Sequence, residues 1–182
     1  VPVFLYYFYY SNKPRKAILF TLGLVFPYAL RYSYGLTQLH WSIFSITFIY
    51  IYLSTFIGLI VGYYLIKQKM FYLIPFSFVV IDKISVYIGG FLSYGYFVTQ
   101  FKPVLQLSSL TGITGLTFVV MAVNIGIAKL IYDYFNVQKI NYKVIGAIAC
   151  VLILVLSYGI LHYNSLETIN KYKVGMVQPA YT

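Results

Sequence analysis

Charged side chains are scarce in this chain of 182 residues, and acidic side chains are the scarcest of all. Only 9% of the residues are charged, with three Asp and Glu against thirteen Lys and Arg, whereas 61% are hydrophobic. A soluble domain carries about 25% charged residues because its surface faces water. The composition therefore excludes an ordinary soluble globule and predicts a protein whose outer surface faces the hydrocarbon of a bilayer.

Residues that commonly carry chemistry are equally few. The chain has one cysteine, Cys150, so no disulfide can form within it. The acids and histidines are spread along the sequence, at Asp82, Asp133, Glu167, His40 and His162. A metal site needs clustered ligands, and a phosphate-binding loop needs a GxxxxGK pattern, and neither occurs here. The sequence therefore predicts no metal and no cofactor.

The net charge of +10 does not indicate a nucleic-acid partner. The cations stand singly, in pairs or in threes between long apolar runs rather than on one continuous basic face. One set of alternate loops holds Lys13, Arg15, Lys16, Lys67, Lys69, Lys129, Lys139 and Lys143, and the other set holds only Arg31 and Lys102. Since cytoplasmic loops carry the excess of Lys and Arg, we expect the chain after Leu161 to emerge on the periplasmic side.

Long apolar runs predict an all-α membrane protein, a polytopic transmembrane helical bundle over residues 1–163. A spanning helix needs about 20 mainly apolar residues. A partial helix and five further helices are expected at about 1–10, 17–34, 43–66, 70–88, 107–131 and 143–161. The stretch 89–106 is rich in Gly, Tyr and Ser and interrupts the helical pattern. The last segment, 164–182, is expected to be a periplasmic linker followed by a strand at 172–177.

Both ends of the chain look cut. The sequence begins at Val1 without Met or a signal-peptide pattern, and it stops at Thr182 without a polar tail. We therefore expect a fragment of a longer protein.

One pair of charges lies inside a predicted span. Asp82 and Lys83 fall in the second half of 70–88, and an ionisable group at the centre of a span costs about 2.5–3.5 kcal/mol on insertion scales. Adjacent residues on a helix point about 100° apart, so the two side chains do not simply neutralise each other. Two interpretations remain open. The pair either serves a functional cavity, or it lies near a broken helix end at Gly89-Gly90 and snorkels to the interface.

The order of features from residue 89 onward forms a recognisable pattern. Residues 89–100 read GGFLSYGYFVTQ, residues 105–120 read LQLSSLTGITGLTFVV, and Asn124 follows. The pattern resembles that of the apolipoprotein N-acyltransferase family, which has a Gly-Phe-Pro-Trp motif, a later Gln, and a Gly-x-x-Gly-Leu-Ser-Phe-like helix followed by Asn. The final run, KVGMVQP at 173–179, resembles the first strand of the family's nitrilase-like domain.

The chain departs from the family's pattern in two places. Leu92-Ser93 stands where the family has Pro-Trp, and Asp82-Lys83 are adjacent where the family usually separates its acid from its base. These departures concern the part of the membrane region that would handle lipid.

The resemblance implies a membrane enzyme of the bacterial inner membrane that is multi-pass, monomeric and periplasmic in its C-terminal part. Members transfer an acyl chain from a phospholipid to the N-terminal diacylglyceryl-cysteine amine of lipoproteins. A Glu-Lys-Cys triad in the α/β nitrilase-like domain forms a thioester on its cysteine. The resemblance places that triad beyond Thr182, so this fragment would be inactive alone and Cys150 would not be the nucleophile.

The resemblance also implies that the fragment anchors the catalytic domain and admits lipid. The candidate residues for lipid admission or for structure are Asp82, Lys83, Gly89, Gly90, Phe91 and Gln100. The alternative is a small polytopic transporter or channel subunit in which Asp82 and Lys83 line a polar path. A scaffold without turnover is a third possibility.

Overall fold

The computed structural model describes residues 2–34, 41–88, 93–136, 138 and 141–165. In these ranges the chain is helical and contains no strand. The described α-helices are α1 (Pro2–Tyr9), α2 (Pro14–Tyr34), α3 (Trp41–Lys67), α4 (Ile74–Ile88), α5 (Lys102–Gln106), α6 (Ser108–Thr111), α7 (Ile113–Asn136) and α8 (Tyr142–Ser165). Two 3-10 helices lie at Phe71–Leu73 and Tyr94–Val98. The prediction of an all-α bundle is confirmed for this part, and the expected strand at 172–177 lies outside the described residues.

Three of the described helices are long and apolar enough to cross a membrane. They cover Ser45–Lys67, Ile113–Asn136 and Tyr142–Ser165. The most apolar window of the third has only 11% of its residues buried inside the protein. Leu154 and Leu161 on that helix are 64% and 71% exposed. Such a surface is stable against hydrocarbon, because a helix satisfies its own backbone hydrogen bonds there.

The structure breaks the expected helix 107–131 at its first turn. Gly112 has a φ of +67°, a left-handed conformation that glycine adopts without a steric penalty. Its amide donates to the Ser108 carbonyl oxygen at 2.9 Å, which ends α6. The long helix α7 therefore begins at Ile113, and the interrupted region, expected at 89–106, extends to residue 112. The expected helix 70–88 likewise starts with a 3-10 turn, and its α-helical part is Ile74–Ile88.

One end of the bundle gathers several of the cation-rich turns. The Tyr63 hydroxyl, near the end of α3, donates to the Ser11 carbonyl oxygen between α1 and α2 at 2.8 Å. Phe8 stacks on Tyr132 of α7 with 5.3 Å between ring centroids, and it also contacts Phe71. The turn that contains Lys13, the end of α3 at Lys67 and the end of α7 therefore lie on one side of the bundle.

Aromatic side chains make up much of the core. Phe4, Tyr7, Tyr63 and Phe78 are all nearly or fully buried. Phe4 packs edge-on against Phe78 with centroids 6.2 Å apart, and Tyr7 packs edge-on against Tyr63 at 5.6 Å. Edge-to-face contacts of this kind stabilise aromatic cores beyond their buried area. The large number of Tyr and Phe residues is therefore partly used in packing between helices.

Candidate functional site

Asp82 lies inside the bundle, with 2% of its surface exposed. Its Oδ2 atom accepts hydrogen bonds from the Ser93 hydroxyl at 2.8 Å and from the Thr117 hydroxyl at 2.7 Å. These two bonds join α4 to the start of the second 3-10 helix and to α7. A buried carboxylate needs hydrogen bonds to compensate for its lost hydration, and here two hydroxyls supply them.

The hydroxyl oxygens of Ser93 and Thr117 also accept a hydrogen bond from a backbone amide. The Gly95 amide lies 3.2 Å from Ser93 Oγ and 3.0 Å from Thr117 Oγ1, so its N–H is shared between them. Ser93 has extended backbone angles and caps the 3-10 helix, a position at which serine is favoured because its side chain reaches a nearby amide. Asp82, Ser93, Gly95 and Thr117 form one connected unit, which we name the Asp82 cluster.

Only glycine fits at position 95 of the Asp82 cluster. A Cβ atom there would lie 2.5 Å from the Ile113 carbonyl oxygen and 2.9 Å from Leu116 Cβ. The backbone of the interrupted region therefore lies directly against the first turn of α7. Close backbone approach is a common reason for glycine at such a position.

One oxygen of the Asp82 carboxylate is unsatisfied. Among the described residues, Asp82 Oδ1 is buried and has no hydrogen-bond partner. Buried polar atoms without a partner are rare and commonly mark an ordered water or a functional role.

Lys83 does not join the Asp82 cluster. Its side chain is exposed, whereas that of Asp82 is buried. Within the described ranges, the one ion pair joins Lys129 to Asp133 on α7. Asp82 and Lys83 therefore lie in different environments, one buried and one exposed.

The other candidate residues from the sequence do not meet at Asp82 in the described structure. Gln100 is exposed in the turn that follows the second 3-10 helix. Gly89, Gly90 and Phe91 lie outside the described residues. Ser93, Gly95 and Thr117 are the residues that sequence reasoning missed. A polar side chain such as Thr117 inside an apolar span is a usable signal, but such residues commonly bond within their own helix.

A cavity of about 450 Å³ lies beside the Asp82 cluster, among α1, α2, α3, α4 and α7. Its walls are mainly apolar and include Phe4, Val25, Leu59, Phe78, Tyr94 and Met121. Tyr94 follows Ser93 directly in sequence, and its ring packs edge-on against Phe78 with centroids 5.3 Å apart. The Asp82 cluster therefore holds the backbone on both sides of a residue that lines the cavity. The volume lies within the range of about 300–1,000 Å³ that is typical of ligand sites.

The interrupted region also contacts α8. Gly159 of α8 lies against the backbone of Pro103, whose carbonyl oxygen would be 1.9 Å from a Cβ atom at position 159. His162 Nδ1 lies 3.1 Å from Gln106 Oε1, and the Ser109 and Tyr158 hydroxyls lie 3.0 Å apart. Helices α5 and α6 are thus fixed to α8, just as the 3-10 helix is fixed to α4 and α7.

The described part of the chain contains no group of three or more His, Cys, Asp or Glu side chains that could hold a metal ion. Cys150 is a free cysteine that is exposed on α8. The arrangement can hold backbone in place and enclose an apolar ligand.

Comparison with known proteins gives one family match. Residues 1–126 match the family model described as the apolipoprotein N-acyltransferase N-terminal domain. No curated protein and no solved structure matches the chain. The matched range covers more than half of the chain, contains every residue of the Asp82 cluster, and ends within α7.

Proposed function

The chain belongs to the apolipoprotein N-acyltransferase family, and from this premise we propose that it forms the membrane part of such an enzyme. The reaction is the transfer of an acyl chain from a phospholipid to the N-terminal diacylglyceryl-cysteine amine of a lipoprotein. The observation that carries the proposal is the family match over residues 1–126. In this reaction the chain anchors the catalytic domain and admits lipid. The Glu-Lys-Cys triad belongs to a nitrilase-like domain beyond Thr182.

The interrupted region supports a role in lipid handling. Irregular backbone at membrane depth is stable only where it packs on protein or lines a cavity. Here the 3-10 helix packs on α7 through Gly95, and Tyr94 in the same turn lines the apolar cavity. We therefore propose that the stretch 89–106 of the interrupted region lies below the catalytic domain and helps to admit the acyl chain.

The distribution of cations supports an orientation in the bacterial inner membrane. The turn that contains Lys13 and the end of α3 at Lys67 lie at one end of the bundle, as the contact between Tyr63 and Ser11 requires. By the positive-inside rule this end is cytoplasmic. Helix α8 then runs outward, and the chain after Ser165 continues on the periplasmic side, where the proposed lipoprotein substrate is located. We propose that the protein acts as a monomer.

The transporter alternative receives less support from the geometry. It requires Asp82 and Lys83 to line one polar path through the membrane. Asp82 is buried and bonded to Ser93 and Thr117, whereas Lys83 is exposed. The cavity lined by Tyr94 is mainly apolar, so a path for ions is not favoured.

Genetic complementation tests the proposed function. The complete open reading frame that contains this chain is expressed in a bacterium depleted of its own apolipoprotein N-acyltransferase. We expect growth to be restored by the complete frame and not by residues 1–182 alone. Stable, membrane-inserted protein from the complete frame without restored growth would contradict the proposal.

A further inference from the structure

We infer that the 450 Å³ cavity holds one acyl chain of a membrane phospholipid, and that the Asp82 cluster fixes its Tyr94 wall. This inference rests on the proposed function, and it names the place where the donor lipid is held inside the bundle. It assigns Asp82 as a positioning residue, since the carboxylate acts through Ser93 and not on the lipid itself.

The depth of the cavity favours a hydrocarbon occupant. Val25, Leu59 and Met121 line it, and each lies well inside its helix rather than at an end. A water molecule needs two to four polar partners to occupy a buried site. The amide nitrogen of Asn124, one of the few polar groups on the wall, donates to the Val120 carbonyl oxygen within α7 at 2.7 Å. An apolar space at this depth is therefore better filled by a chain from the surrounding lipid.

The cavity has a route to the bilayer between helices. Leu24 lines the cavity and is 37% exposed, whereas its neighbour Val25 is fully buried. Because α2 presents both residues to the same space, an acyl chain can pass from the outer surface at Leu24 to the interior at Val25. Both side chains on this route are aliphatic, which suits a lipid tail and not a headgroup.

The Asp82 cluster holds the wall from both sides of Tyr94. Ser93 is bonded to Asp82, and the Gly95 amide is bonded to both hydroxyls of the cluster. The Tyr94 ring then packs on Phe78, which packs on Phe4 in turn. Without the carboxylate, the turn at Ser93 would lose its attachment to α4, and the aromatic wall would lose its fixed position.

Photo-crosslinking in the complete protein tests the inference. The protein is reconstituted in vesicles of phosphatidylethanolamine that carries a diazirine near the end of one acyl chain, and labelled peptides are mapped by mass spectrometry. We expect labels on Val25, Met121 and Tyr94. Labels confined to outward-facing residues such as Leu154, which is 64% exposed, would overturn the inference.

Variants that change the volume of the cavity give a second readout. Met121→Trp is expected to lower labelling of Val25 by about tenfold, the scale at which one missing or extra group in an apolar site is discriminated. Leu154→Trp, on the lipid-facing side of α8, is the matched control and is expected to leave labelling unchanged. If Met121→Trp does not fold, Val25→Ala is used instead, because it enlarges the same cavity. This variant is expected to raise the labelling of Met121 by probes with longer acyl chains. Unchanged labelling in both cavity variants would contradict the inference.

The role of Asp82 is tested by comparing two substitutions. Asp82→Ala removes the acceptor for Ser93 and Thr117 and is expected to remove the label from Tyr94 while that on Val25 persists. Asp82→Asn keeps one acceptor oxygen and is expected to restore the Tyr94 label. Equal labelling of Tyr94 in the wild type and in Asp82→Ala would exclude the positioning role.

The outcomes separate this inference from the proposed function. Labelling of the cavity without any acyl transfer would leave the cavity assignment in place and contradict the enzyme. Acyl transfer by a protein whose cavity is never labelled would support the proposed enzyme and contradict the cavity assignment. A diazirine placed on a diacylglyceryl lipopeptide provides a third arm, and labelling by that probe alone would overturn the assignment to a phospholipid.

Discussion

The carboxylate of Asp82 accepts a 2.8 Å hydrogen bond from the Ser93 hydroxyl, across the point where the helical pattern of the sequence is interrupted. The bond ties the chain before the interruption to the chain after it. Because Thr117 bonds to the same carboxylate oxygen, α7 is joined at the same place. A costly buried acid is therefore used to hold irregular backbone against the bundle.

Removal of the Asp82 side chain should destabilise the interrupted region. In Asp82→Ala, one hydroxyl of the Ser93–Thr117 pair, 2.9 Å apart, can still donate to the other, so one buried donor is left unpaired. The expected cost is about 1–3 kcal/mol. Thermal unfolding in detergent measures it, and limited proteolysis should show faster cleavage within 93–106. Lys83→Ala, its exposed neighbour, is the control and should behave like the wild type. Equal loss in the two variants would contradict the account of the Asp82 cluster.

Glycine at position 95 should be far less replaceable than glycine at position 23. The Cβ of Gly95→Ala would lie 2.5 Å from the Ile113 carbonyl oxygen, whereas Gly23→Ala meets no atom within 4 Å. Overpacking against backbone typically costs about 1–3 kcal/mol. Alanine in the interior of a helix such as α2 gains up to about 1 kcal/mol over glycine. Opposite changes in the thermal midpoint are therefore expected, and a lower midpoint for Gly23→Ala alone would be evidence against the described packing.

Sequence periodicity was informative where one long apolar run makes one helix. The expected helix 43–66 corresponds to α3, Trp41–Lys67, and the expected helix 143–161 corresponds to α8, Tyr142–Ser165. The break at Gly112 was missed, because Ser, Leu and Thr in the preceding turn are compatible with a continuous helix. Only the positive φ at Gly112 separates α6 from α7.

The candidate site was predictable only in part, and for a physical reason. A charged residue in a membrane span is rare because its insertion costs free energy, so Asp82 could be singled out from the sequence. Its partners are 11 and 35 residues away, and hydroxyl residues are too common in spans to be assigned as partners by spacing. The cavity is formed by several helices that are distant in sequence, so no local pattern indicates it.

Helix α8 should depend on close contact with α5. Gly159→Ala would drive a Cβ atom into the Pro103 carbonyl, while Gly146→Ala on the same helix meets nothing within 4 Å. The expected effect of Gly159→Ala is a displacement of α8 from α5 with a loss of about 1–3 kcal/mol. Spin labels at Lys102 and Tyr163 report the separation by pulsed electron resonance. An unchanged distance distribution in Gly159→Ala, or a changed one in Gly146→Ala, would be incompatible with the described contact.

The ion pair between Lys129 and Asp133 on α7 should stabilise the protein only when both residues are present. Lys129 binds Asp133 one turn away, and its Nζ lies 5.6–5.8 Å from the ring centroids of Phe8, Phe71 and Tyr132. Lys129→Met leaves the buried Asp133 carboxylate uncompensated, and breaking a buried pair in this way costs about 3–5 kcal/mol. The double variant Lys129→Met with Asp133→Leu should recover most of that stability. Thermal unfolding of the two variants checks this, and an equal loss in both would show that the charge imbalance is not the cause.

The acyl content of a lipoprotein tests the central claim most directly. A reporter lipoprotein is purified from bacteria whose only source of apolipoprotein N-acyltransferase activity is the complete frame containing this chain, and its N-terminal peptide is weighed by mass spectrometry. We predict an amide-linked third acyl chain on the N-terminal diacylglyceryl-cysteine, absent when the frame ends at Thr182. A peptide that carries only the diacylglyceryl group, from cells in which the complete protein is stable and membrane-inserted, would contradict the proposed function.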